Sequence, residues 1–182
     1  MSKGQRSFYR LMYILSLLPI VFILLAIGLL IYFWISKANE LSYALTIGPL
    51  SIGISPDLLE GELVLSHLDF VLLIIYGGLF FVLFWNVKNF FLNLVNEKFF
   101  VMENVRAIRH IGICILILAF YNYIPFYTIL LKLIDKLNIP GINLSVQIGI
   151  DYGLLFSGLA ILAVSQLFKE AVRIKEENEL TI

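Results

Sequence analysis

LMYILSLLPIVFILLAIGLLIYFWI, residues 11–35, places 25 residues in a row without one charged side chain. As a helix rising about 1.5 Å per residue, such a run outspans ~30 Å of bilayer hydrocarbon. Lys3, Arg6 and Arg10 precede it, a basic entry of the kind that opens secretory leaders. The apolar run is too long for a leader, however, and no small-residue cleavage site follows. It therefore reads as a retained first crossing, with Pro19 expected to kink it, because proline removes a backbone donor.

Three further apolar runs follow. They are Leu68–Val87 with Asp69 at its edge, Ile111–Leu131, and Tyr152–Phe168 with Gly149, Ile150 and Asp151 just before it. A charge at the bilayer centre costs about 2.5–3.5 kcal/mol on insertion scales, so Asp69 and Asp151 mark helix ends. Aromatic clusters at Tyr32–Trp34, Phe84–Trp85 and Phe126–Tyr127 suit the interfaces. Composition agrees: of 182 residues, 60% are hydrophobic and only 14% charged, with mean hydropathy +0.95, where soluble domains carry about a quarter charged. The expectation is one membrane domain over residues 1–182, with helices at about 11–35, 68–95, 103–131 and 150–177 and outer loops at 36–67 and 132–149.

Orientation follows from the cations. Lys3, Arg6, Arg10, Lys88, Lys98, Arg106, Arg109, Lys169, Arg173 and Lys175 fall on one side, ten of the 13 Lys and Arg residues. Lys37, Lys132 and Lys136 fall on the other. The positive-inside rule then puts both termini and the connection between helices two and three in the cytoplasm.

The outer loops alternate with period two. Tyr43, Leu45 and Ile47 lead to Gly48-Pro49, and Leu50, Ile52 and Ile54 follow; Glu62–Ser66 is another short candidate strand. After Pro140-Gly141 the pattern recurs at Ile142, Leu144, Val146 and Ile148. Alternation of this kind marks half-buried strands. The expected fold is thus an all-α transmembrane four-helix bundle carrying a small extracytoplasmic antiparallel β-sheet built from the two outer loops. On the inner side, helix two is expected to run to Val95 with Asn96 as C-cap. Helix three begins near Met102 or Glu103, and the tail from Lys169 to about Glu177 prolongs the last helix into water.

Little in the chain points to chemistry. The formal net charge is zero, which argues against nucleic acid as a direct partner. The single cysteine, Cys114, excludes an intramolecular disulfide, and the two histidines, His67 and His110, fall on opposite sides. There is no HExxH, GxSxG or Walker pattern, so no catalytic residue, metal ligand or cofactor is assigned. Asp69 and Asp151, with Asp135, Lys132 and Lys136 on the same outer side, are candidate polar sites. At helix N-termini, however, Asp69 and Asp151 also favour the helix dipole. Asn122 lies midway along helix three, where a buried amide seeks a partner on another helix, and Pro125 frees the carbonyl of Tyr121. Gly149, Gly153 and Ser157 form a strip of small residues suited to close helix packing, within one chain or between copies.

Two inner phrases carry a resemblance. Phe99-Phe100-Val101-Met102-Glu103-Asn104-Val105-Arg106-Ala107-Ile108-Arg109-His110-Ile111-Gly112 is one. The other is the ending from Phe168-Lys169-Glu170-Ala171 through Glu176-Glu177-Asn178-Glu179-Leu180-Thr181-Ile182. With four helices in this length, they resemble the bacterial membrane proteins of domain-of-unknown-function family 2975. That resemblance implies a multi-pass protein of the bacterial cytoplasmic membrane with no established activity. It also implies a helix-turn-helix transcriptional regulator as cytoplasmic partner, many members being encoded beside one.

Phe100, Glu103, Asn104, Arg106, Arg109, Glu176, Glu177 and Asn178 are accordingly the candidate cytoplasmic interaction residues. The acidic tail could close on Arg106 and Arg109 or on a basic partner. The expected function is a non-enzymatic regulatory or sensory partner, with the bilayer, the regulator and further copies of the chain as partners. A small transporter or channel subunit, or a structural accessory subunit, is the alternative.

Overall fold

The computed structural model describes residues 3–36, 44–47, 50–53, 65–136 and 149–179. The order is α1 (Lys3–Ser36), β1 (Ala44–Ile47), β2 (Leu50–Gly53), α2 (His67–Val95), α3 (Met102–Tyr121), α4 (Ile124–Lys136) and α5 (Tyr152–Glu179). Among the described residues four segments are long and apolar enough to cross a membrane: α1, α2, α3 with α4 taken together, and α5. The chain is a multi-pass membrane protein.

The sheet expected from both outer loops requires correction. The described residues are almost wholly helical, and among them no strand from the second loop joins one from the first. The described β structure is two antiparallel strands of four residues each inside the first loop, pairing Ala44 with Gly53 and Ile47 with Leu50. The physical reason is that alternation marks a strand without naming its partner. Two short alternating runs close together in sequence pair with each other. The candidate strand residues 142–148, and 62–64 of the first loop, lie outside the described residues.

Helix three is also divided. Pro125 has no N–H to give the carbonyl of Tyr121, and the helix breaks there into a turn at Asn122 and Tyr123. α4 restarts with Pro125 in its first turn, where proline is tolerated. Pro19, by contrast, stays inside one continuous α1.

Two compact units make up the chain. The first comprises Met1–Ala26, Gly77–Ala119 and Ile150–Ile182; the second comprises Ile27–Tyr76 and Phe120–Gly149. In the first unit α3 lies against α5. The buried residues of α5 are Gly158, Ser165 and Val172, one per seven residues, the spacing of a coiled-coil seam. On α3, Val105, Gly112 and Leu116 meet α5, and Ile108 and Ala119 are buried as well. Two glycines let the helices approach. A Cβ on Gly112 would lie 2.8 Å from the Leu162 side chain and 3.2 Å from its backbone nitrogen. A Cβ on Gly158 would stand equally close to the Leu116 side chain and 3.1 Å from its nitrogen. Gly149, Gly153 and Ser157 occupy the exposed side of this region, so the contact within the chain is made one residue further on, at Gly158.

In the second unit Leu65, Phe70, Ile129 and Leu133 form a buried cluster, with Leu30, Trp34, Leu73 and Leu130 around it. Trp34 stacks on Phe70 at 6.0 Å and 8°, and its Nε1 donates to His67 Nδ1 at 2.7 Å.

Gly112→Ala and Gly158→Ala are each expected to cost about 1–3 kcal/mol, because the neighbouring backbone cannot step aside. Gly149→Ala, with nothing within 4 Å, is expected to be neutral. Thermal unfolding of the detergent-solubilised variants checks this; equal midpoints for all three would contradict it.

Candidate functional site

The first unit concentrates the residues singled out from the sequence. α2 ends at Val95, and Asn96 stands at the C-cap. Glu97 follows with φ 62°, the left-handed position that terminates helices. Its N–H donates to the Leu94 carbonyl at 3.1 Å, and that of Lys98 donates to the Asn93 carbonyl at 2.9 Å. This is the paired closure of a Schellman ending.

The turn is then locked by one side chain. Asn104 is fully buried. Its Nδ2 donates to the carbonyls of Lys98 and Phe99, both at 2.7 Å, and its Oδ1 accepts from Asn93 Nδ2 at 2.8 Å. Asn104 thus satisfies backbone oxygens that the turn would otherwise leave unpaired, and it ties the start of α3 to the end of α2. Phe99 packs edge-on to Tyr9 at 5.9 Å, and Phe100 stacks on Phe168 of α5 at 5.7 Å.

Three clefts open around this turn. The first, about 370 Å³, is polar: Asn86, Asn89 and Asn93 of α2 face Glu103, Arg106 and His110 of α3. Asn86 Oδ1 lies 3.3 Å from His110 Nδ1. The second, about 310 Å³, is lined by Arg106 and Arg109 of α3 and by Ser165, Gln166 and Lys169 of α5. The Ser165 hydroxyl donates to the Val105 carbonyl at 3.3 Å. The third, about 470 Å³, is mainly apolar and lies along the last turns of α5, among Phe100, Ala171, Ile174, Lys175, Asn178 and Glu179.

These positions sort the sequence-derived candidates. Phe100 and Asn178 share the apolar groove, Glu103 and Arg106 share the polar cleft, and Arg106 and Arg109 share the basic one. Asn104 is a structural lock rather than a contact surface. Among the described residues the acidic tail makes no ion pair with Arg106 or Arg109. Its charges pair along α5 itself: Arg173 with Glu170 at 2.8 Å and with Glu177 at 3.5 Å, and Lys175 with Glu179 at 3.5 Å. Glu176 is exposed and enters none of these pairs.

Sequence reasoning missed the asparagine stripe of α2. Its spacing of three and four residues, Asn86, Asn89, Asn93, was a legible signal of one polar helix face. Lys169 and Gln166 opposite the arginines could not be found that way, since they come from another helix.

The polar candidates of the second unit are engaged locally. Asp69 is fully buried. Its Oδ2 accepts from the Ser66 N–H at 2.7 Å and the Ser66 hydroxyl at 2.8 Å, and it pairs with Lys132 Nζ. Oδ1 is buried and accepts no hydrogen bond among the described residues. The nearby Thr128 hydroxyl donates instead to the Pro125 carbonyl at 3.0 Å. Asn122 Oδ1 accepts from the Tyr76 hydroxyl at 2.7 Å, and the Tyr121 hydroxyl donates to the Leu72 carbonyl at 3.1 Å. Asp151, in the first unit, caps α5 by accepting from the Leu154 N–H at 3.0 Å.

The family described as Protein of unknown function (DUF2975) matches residues 36–182. The chain belongs to this family. The match bears out the resemblance carried by the two inner phrases and includes every cleft described above; the α1 residues before Ser36 precede it. Comparison with curated proteins and with solved structures gave no match. In this DUF2975 chain, then, the site must be read from its own geometry, and its centre is the Asn104-locked turn.

Asn104→Ala is expected to cost about 2–3 kcal/mol, because two backbone carbonyls and Asn93 lose their partner inside the protein. Asn104→Asp should cost no less, since a carboxylate there faces two carbonyl oxygens. The check is unfolding in detergent; a midpoint unchanged in either variant would count against the lock.

Proposed function

We propose that the chain is a non-enzymatic protein of the bacterial cytoplasmic membrane that holds a soluble transcriptional regulator of the helix-turn-helix type. In this reading both termini and the 96–101 turn face the cytoplasm, in keeping with the ten cations among the 13 Lys and Arg residues that share that side.

The observation that carries the reading is the groove on α5. The apolar run of that helix stops at Phe168, yet the helix continues to Glu179, about three further turns. Along those turns Ile174 is 54% exposed, beside Phe100 at 46%. A segment that clears the hydrocarbon gains nothing from lipid by showing such side chains. A partner helix laid in the groove would bury them, with Lys175, Asn178 and Glu179 at the rim for orientation. Because the charges of the tail are mostly paired along α5, the groove offers shape and apolar area more than net charge.

A transporter or channel subunit is the less favoured reading. Asn122 and Asp69 would be the polar steps of a solute path, and both already serve neighbouring side chains, Tyr76 in one case and Ser66 with Lys132 in the other.

A photo-crosslinking residue at position 174 should capture one soluble helix-turn-helix protein in cells, while the same probe at Leu159, exposed on the apolar run, should not. Ile174→Glu should abolish capture and change transcription of the regulator's targets. Capture of membrane components alone, with transcription unaltered, would contradict the reading.

A further inference from the structure

We infer that the cleft formed by Arg106, Arg109, Gln166 and Lys169 is a binding site for the phosphate headgroup of an anionic membrane lipid. Three cations from two helices, α3 and α5, line one cleft that holds no acidic side chain. None of the three enters an ion pair among the described residues. This is not for want of acids: Glu170, Glu177 and Glu179 lie on the same α5 and pair with Arg173 and Lys175 instead. Assembling unpaired like charges is unfavourable unless an anion completes the site, and guanidinium groups with a neighbouring amide suit phosphate oxygens. Glu103 lines the other side of Arg106, in the polar cleft, and makes no ion pair with it among the described residues.

The depth of the cleft identifies the source of the phosphate. Arg109 is the last charge before the apolar stretch of α3, and Lys169 is the first after that of α5. Both helices therefore change from apolar to charged at this cleft, which is where headgroups lie. Directly on the apolar side, the same helices expose Ile113 and Ile117 on α3 and Val164 and Leu167 on α5, a surface for the acyl chains below a bound headgroup. Basic pockets between crossing helices are the usual receptors for such lipids. The site is separate from the α5 groove and does not depend on what docks there.

The test uses the full chain purified in detergent and reconstituted in nanodiscs. Native mass spectrometry should show phosphatidylglycerol or cardiolipin retained over phosphatidylcholine. Retention should weaken about fivefold for each cation removed in Arg106→Gln, Arg109→Gln and Lys169→Gln. Arg173→Gln, which removes a cation already paired on α5, should leave retention unchanged. If the triple variant fails to fold, the Lys169→Gln single variant, on an exposed position, carries the comparison. Equal retention by Lys169→Gln and the unaltered chain would overturn the site. Protection from unfolding by inorganic phosphate alone, with none added by anionic lipid, would overturn the lipid as its occupant.

Discussion

In hydrocarbon, and equally in a protein interior, there is no water to satisfy a backbone N–H or C=O, so each must find its partner inside the protein. Helices meet this requirement along their length and fail at their ends and breaks. In this chain polar side chains stand at those failures. Ser66 and Asp69 close the start of α2, Asn104 supplies donors to the turn after α2, and Asp151 caps α5. At the proline break between α3 and α4, Asn122 and Tyr121 are tied to Tyr76 and Leu72. Residues that resemble an ion path when read one at a time become, taken together, the end-fittings of a set of membrane helices.

This account separates two kinds of polar residue. Those at helix ends and breaks hydrogen-bond to neighbouring parts of the chain, and they bind the protein to itself. Those around the turn at residues 96–101 line open clefts: the asparagine face of α2, the arginines of α3, Lys169, and the groove beside Phe100. The close α3–α5 contact at Gly112 and Gly158 holds the second group in place. It fixes the spacing between the helices that supply Arg106 and Arg109 on one side and Gln166 and Lys169 on the other.

Much of the architecture was legible because lipid imposes a simple rule on composition. Long uncharged runs gave the crossings, and Asn96 gave the end of α2. The family was legible in Phe99–Gly112 and the charged ending. What escaped depends on pairing. Alternation in the outer loops suggested one shared sheet, whereas the described strands pair only within the first loop. The strip Gly149, Gly153, Ser157 has the right spacing for packing, yet which side of a helix meets a neighbour is set by that neighbour, and Gly158 is the residue in contact. Pro125 marks where helix three is interrupted, but that the chain breaks the helix outright depends on partners from α2, the Tyr76 hydroxyl and the Leu72 carbonyl, which the spacing alone does not name. The basic cleft was half visible, as two arginines one turn apart, and its other half came from α5.

In the proposed topology, four crossings bring the N-terminal segment, the Asn104-locked turn and the charged end of α5 to one side of the membrane. Single cysteines at Lys3, Glu97 and Glu176, in a chain with Cys114 replaced by alanine, test this with a membrane-impermeant maleimide on intact and opened cells. All three should share one labelling pattern, and a cysteine at Asp135 should show the opposite one. Labelling of Glu97 and Glu176 from opposite sides would contradict the account.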